Sequence, residues 1–205
     1  MKIRFCFLVL ALTILLTFSG CKNRPDYANM EKSQLQASML SPPDTLDKLL
    51  DRCNTVVQGI LQDDAQTELK MNSTFGIEII TSGTTKSTLH ITQVLQAEGL
   101  VVGDNISIYE PYYVVESNEN PCLFYLSNYL PAESGKEYIF FLNEKEPGRF
   151  IVDAVEYSRY PVPSTQTRAS VDIDSLTKED LSLAESADLE KYKALYKEVL
   201  EEYGE

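Results

Sequence analysis

Between Val56 and Val152 every apolar run is short and ends at a turn-forming residue, so this stretch cannot build a helical core. Val56-Val57-Gln58-Gly59-Ile60-Leu61 comes first, and residues 75–80 form a second, Ile-rich stretch. Thr88-Leu89-His90-Ile91-Thr92 alternates, with Leu89 and Ile91 predicted to face inward, and Val94-Leu95 follows. Gly103-Asp104-Asn105 turns the chain into Ile106-Ser107-Ile108-Tyr109, which Pro111 stops. Residues 112–115, 122–126, 137–142 and 150–152 add further β-like runs, with turns at Gly135-Lys136 and Pro147-Gly148. About eight such strands predict a mainly β fold, a small antiparallel barrel or sandwich over residues 44–160. Residues 44–51 open this domain as a short helix, with Asp44 or Thr45 as N-cap.

The period changes at both ends. Toward the C-terminus Leu189, Tyr192, Leu195, Tyr196, Val199 and Tyr203 recur at three- and four-residue intervals behind Ser186 or Asp188. Residues 175–205 are therefore an amphipathic helical appendage packed on the barrel, and the Ser/Thr/Pro-rich residues 161–174 are its linker. At the N-terminus Lys2 and Arg4 precede an apolar run over residues 5–18. That run is shorter than the roughly 20 residues a membrane-spanning helix needs, and it fits the h-region of a signal peptide over residues 1–20. Phe18-Ser19-Gly20-Cys21 closes it and resembles a bacterial lipobox, with Phe where Leu is usual. The resemblance implies that Cys21 is diacylated, becomes the first mature residue, and anchors the protein on the extracytoplasmic face of the cell membrane. Residues 21–43, polar and ending at Pro42-Pro43, read as a flexible tether.

The order of elements, with Val102-Gly103-Asp104-Asn105-Ile106-Ser107-Ile108 and Gly135-Lys136-Glu137-Tyr138-Ile139-Phe140-Phe141-Leu142, resembles the OB-like extracytoplasmic barrels of Gram-positive bacteria. Their fold is similar to that of tissue inhibitors of metalloproteinases. The resemblance covers roughly residues 52–155 and implies an OB-like barrel. It carries over no inhibitory residue, because that mechanism needs a free N-terminal Cys, and Cys21 is read as lipid-modified. Protease inhibition therefore rests on fold similarity alone.

Chemistry is sparse. Thirty-one Asp and Glu against 18 Lys and Arg give a net charge of −13, which disfavours nucleic acid as a partner. The single histidine, His90, lies on the polar phase of its strand and lacks companions at metal-ligand spacing. Asp63, Asp64 and Glu68 do not follow a calcium-loop pattern and read as a solvated turn. No metal, cofactor or catalytic set is assigned. Cys53 and Cys122 either form a disulfide, worth about 4 kcal/mol for so long a loop, or stay as two thiols. Tyr109, Tyr112, Tyr113, Tyr125, Tyr129 and Tyr138 cluster in the second half of the barrel, where they either line a ligand groove or pack its shell. The expectation is a monomeric, non-enzymatic binding or interaction module whose partner is a protein or a cell-envelope ligand. A hydrolase working with carboxylates alone is the competing class, since a pair among so many acids has no sequence signature.

Overall fold

In the computed structural model, residues 26–35, 41–116, 120–163 and 171–204 are described. The elements are β1 (Glu31–Leu35), α1 (Leu46–Leu50), β2 (Thr55–Leu61), β3 (Gln66–Thr74), β4 (Ile77–Gln96), β5 (Asn105–Glu110), β6 (Tyr112–Val115), β7 (Cys122–Leu126), β8 (Glu137–Glu146), β9 (Arg149–Ile151), β10 (Arg159–Pro161) and α2 (Leu189–Tyr203). Five strands close on themselves in the order β2-β4-β5-β9-β8 and back to β2. By position in the barrel this is first, second, third, fifth, fourth, an OB-like barrel with a C-terminal helix. One pair departs from the expected antiparallel arrangement: β5 and β9 run parallel, with Ile108 opposite Phe150.

The apolar runs of β2 and β8 follow from burial on both faces. Val57 and Leu61 of β2, with Phe140 and Leu142 of β8, point into the barrel beside Leu89, Ile91 and Ile108. Val56, Ile139 and Phe141 point outward and are covered by Tyr192, Leu195, Tyr196 and Val199 of α2. A strand buried on both sides loses the alternation of a half-exposed one. β2 bends at a register shift between Gln58 and Gly59, where a Cβ on Gly59 would lie 2.6 Å from the His90 carbonyl oxygen. Thr45 caps α1 by accepting from the Lys48 amide.

Two regions differ from the sequence reading. The runs at 112–115 and 122–126 are not barrel staves; β6 and β7 pair antiparallel in a separate sheet. Its third strand is β1, which lies within the predicted tether and runs parallel to β7, Glu31 opposite Cys122. Tyr27 and Met30 pack against the barrel core. The folded part thus reaches back to Asp26, while residues 36–40 of the tether, the signal segment 1–20 and Cys21 lie outside the described residues. Half of the linker, residues 164–170, does too, and Ile173 near its end is already buried against α2.

β3, like β1, has no counterpart in the sequence reading. It pairs only with β4, from Gln66 opposite Lys86 to Thr74 opposite Ile77. β5 covers β4 only from Thr85 onward. Residues 69–82 therefore stand clear of the barrel as a two-stranded arm.

Candidate functional site

The tyrosines do not line a common groove. Tyr112 and Tyr129 are fully buried, Tyr138 is nearly so, and Tyr113 and Tyr125 are buried at strand positions facing other aromatics. Tyr112 stacks on Tyr129, and Tyr113 stacks on Phe124 at 5.2 Å between centroids. Tyr109 is half-buried with the Arg149 guanidinium 4.2 Å above its ring. Their hydroxyls are used inside the protein: Tyr129 donates to Glu110 Oε1 at 2.7 Å, and Tyr138 Oη accepts from the Glu133 amide at 2.9 Å. Burial raises the pKa of both phenols, so they stay protonated. Tyr125 edges one surface cleft and Tyr113 a different one.

These rings surround two buried charges. Arg159 of β10 donates to the Leu130 carbonyl at 3.0 Å and the Ser182 carbonyl at 3.3 Å, with its guanidinium 4.5 Å from the Tyr129 ring centroid. Glu110 of β5 accepts from Ser87 Oγ at 2.8 Å as well as from Tyr129. The Tyr129 ring and hydroxyl thus link the two charges. Each has partners within the core, which is the condition for burying charge at tolerable cost. This network ties barrel, loop and C-terminal segment together; it is closed to solvent.

Besides the cleft at Tyr113, two larger open clefts flank the barrel. The larger, about 790 Å³, is lined by Arg52, Cys53, Asn143, Lys145, Asp153 and Glu156 among others. Two of its three carboxylates, Asp153 and Glu156, already serve the fold. Asp153 accepts from Asn143 Nδ2 and pairs with Lys145. Glu156 is buried, with Ser127 Oγ at 3.2 Å and the Asn128 amide at 3.5 Å, and burial still raises its pKa. The second cleft, about 570 Å³, lies between Tyr27, Tyr125, Glu133, Lys178 and Glu179.

No protein-family model matches this chain, and no curated protein matches it significantly.

The remaining predicted residues are dispersed. Cys53 and Cys122 are both free thiols, so the disulfide considered from the sequence is not formed. Cys53 follows α1 beside the Leu50 carbonyl, whereas Cys122 begins β7 in the other sheet. His90 Nδ1 lies 3.0 Å from Asn105 Oδ1 on the neighbouring strand. Asp63 accepts from Ser134 Oγ and Asp64 from the Thr88 amide, so both fasten the loop after β2. Glu68 is exposed on β3. Among the described residues no group of three or more His, Cys, Asp or Glu side chains converges as a metal site.

The arm is what sequence reasoning missed. All nine residues of β3 are exposed. Phe75 at the tip is fully exposed, Ile77 is 65% and Ile79 49% exposed, and Met71 projects nearby. Phe75 and Gly76 both have positive φ, at 54° and 78°, the signature of a two-residue type I′ hairpin turn. Gly supplies that conformation readily, but for Phe it is strained. At the base Gly83 passes so close to Tyr113 that a Cβ would sit 2.5 Å from the ring. The usable signal was Phe-Gly between a polar run and an Ile-rich one, the spacing of a hairpin with no core to face.

Proposed function

We propose that this protein is an extracytoplasmic binding or interaction module held on the bacterial cell membrane by a lipid on Cys21. The carrying observation is Phe18-Ser19-Gly20-Cys21 behind a basic n-region and an apolar run of signal-peptide length. Two acyl chains on that sulfur anchor durably, since each buried CH₂ contributes roughly 0.8 kcal/mol. The inward-facing tyrosines and the closed Glu110–Tyr129–Arg159 network support a scaffold whose work is done at its exterior. Cys21→Ala tests the anchor: the expected result is an unprocessed precursor that takes up no fatty-acid analogue. Full labelling of that variant would refute it.

One observation favours a carboxylate hydrolase, the placing of Asp51, Asp153 and Glu156 along one cleft. Glu156 is only 3% exposed, however, and its oxygens already take the Ser127 and Asn128 donors. The interaction reading is the better supported. Release of reducing sugars from envelope glycans by the purified protein, abolished in Glu156→Gln, would reverse that order.

A further inference from the structure

We propose that the β3–β4 arm is a membrane-contact device: its tip, led by Phe75, Ile77 and Ile79, inserts into the outer leaflet of the bilayer that carries the anchor. The inference rests on the anchoring reading above for its location, and on the arm itself for its chemistry.

The first support is covalent reach. Asp26 is the first described residue, and Tyr27 and Met30 already pack on the barrel. Only Lys22 to Pro25 separate it from Cys21, so a lipid on Cys21 holds Asp26 within about 18 Å, the fully extended length of five residues. Part of the tether that would have lifted the domain away, Glu31–Leu35, is instead a strand of the small sheet. From Leu69 to Thr74 the arm adds six residues of β3, about 20 Å of strand, a length comparable to that reach.

The second support is the arm's surface. Between Leu69 and Thr85 the charged residues are Lys70 and Glu78, in a chain of net charge −13; Glu78 stands opposite Ser73 close to the turn, and Lys70 opposite Ser82 toward the base. An acidic body is repelled by anionic headgroups, and the sparsely charged arm, with Phe75 leading it, is the part able to approach them. The shaft behind it is rich in hydroxyls, Thr81, Ser82, Thr84 and Thr85, and Ser73 and Thr74 flank Phe75 at the end. The largest apolar side chain stands foremost and polar groups follow, an order that suits an interfacial element. The third support is conformational. A type I′ turn is made at least cost by Asn-Gly, and here a fully exposed Phe occupies the first position at φ 54°. The exposed apolar area is unfavourable in water and is relieved in lipid. A protein partner fits less well, because the tip is convex and one hairpin wide, whereas a stable interface takes about 800 Å² from each side.

The chain contains no tryptophan, so one substitution gives a site-specific probe. Full-length Phe75→Trp, purified from membranes, is reconstituted into vesicles of phosphatidylcholine and phosphatidylglycerol with or without acyl-chain-brominated lipid. The expected result is a blue-shifted emission quenched about twofold by the brominated lipid, as for a side chain some 5–10 Å deep, and insensitive to salt. Val102→Trp is the control, since Val102 is 65% exposed in the loop at the far end of the twenty-residue β4 and remains unquenched. Solvent-like, unquenched emission at position 75 would overturn the proposal. A blue shift that follows protein density but ignores brominated lipid would overturn it too, by showing the tip covered by a second copy. The mass of the N-terminal peptide reports the anchor independently. Unmodified Cys21 with quenching at position 75 refutes the anchor and keeps the arm; acylated Cys21 without quenching does the opposite.

Discussion

Leu195→Ala probes how far the C-terminal helix belongs to the fold. Leu195 is 1% exposed and lies in the outer core with Ile139 and Phe141 of β8 and Tyr160 of β10. Its neighbours on α2 are equally engaged. Tyr192 stacks on Tyr160 at 5.0 Å between centroids and donates its hydroxyl to the Arg159 carbonyl, and Tyr196 stacks on the same ring at 5.6 Å. Removing three carbons there loses their transfer energy and leaves a cavity against a two-sided sheet with little room to collapse, a cost of about 2–5 kcal/mol. For a domain of this size each kcal/mol moves the midpoint by roughly 2–4 °C, so a fall of about 4–20 °C is expected. Differential scanning calorimetry of the mature chain measures it, with Glu201→Ala on the exposed face as the unchanged control. Deleting residues 186–205 is more severe. Tyr192, Leu195, Tyr196 and Val199 together represent about 6–12 kcal/mol of burial, comparable to a domain's whole stability of about 5–15 kcal/mol. The deleted chain should not accumulate as a folded soluble protein. An unaltered melting curve for Leu195→Ala, with α2 amides exchanging as fast as free peptide, would refute the packing argument.

Phe75→Asn should raise the melting temperature slightly, by up to about 1 kcal/mol of relieved backbone strain, because Asn accepts positive φ where Phe does not; a clear loss of stability would mean that the tip packs on something in solution. Gly83→Ala should destabilise by about 1–3 kcal/mol in urea titration, since the new methyl must displace the near end of the Tyr113 ring, and neutrality would show that ring free to move. Burial pushes the Cys53 thiol up to about 11. A raised thiol pKa means less thiolate at a given pH, so at pH 8 Cys53 should alkylate about 100-fold more slowly than a free cysteine and quicken with each unit toward pH 11. Mass-resolved iodoacetamide kinetics would read this, and rapid modification at pH 8 would contradict the buried placement.

The parts of the fold visible in the sequence are those whose two faces have different or uniformly apolar surroundings. Leu89 and Ile91 alternate because β4 there has the barrel interior on one side, and the stripe through Leu195 and Val199 is helical because one side of α2 is covered. β3 gave no pattern because both of its faces meet solvent, and Gln66–Thr74 accordingly reads as loop. β1 was hidden for a related reason: Glu31-Lys32-Ser33-Gln34-Leu35 is an edge strand held by backbone pairing to β7, which leaves little mark on side-chain choice. The tyrosines posed a different problem. An aromatic on a short strand satisfies a core and a groove equally well, and only the topology shows that Tyr112 and Tyr129 face one another inside. Nothing in the spacing of Glu110 and Arg159 reveals that both are buried around the same ring.

The placement of β1 also bears on how the chain reaches its native state. Its partner β7 lies some ninety residues downstream, and the barrel closes through β2, β4, β5, β8 and β9 without it. Loop-closure entropy makes such distant pairings late and slow, and folds dominated by them typically need about milliseconds to seconds. β1 therefore shares with the β2–β8 closure of the barrel, Thr55 opposite Leu142, the cost of a pairing made across most of the domain. Until β1 docks, the edge of β7 is open, and the smaller sheet is the part of the fold whose edge strand two copies could exchange without opening the barrel.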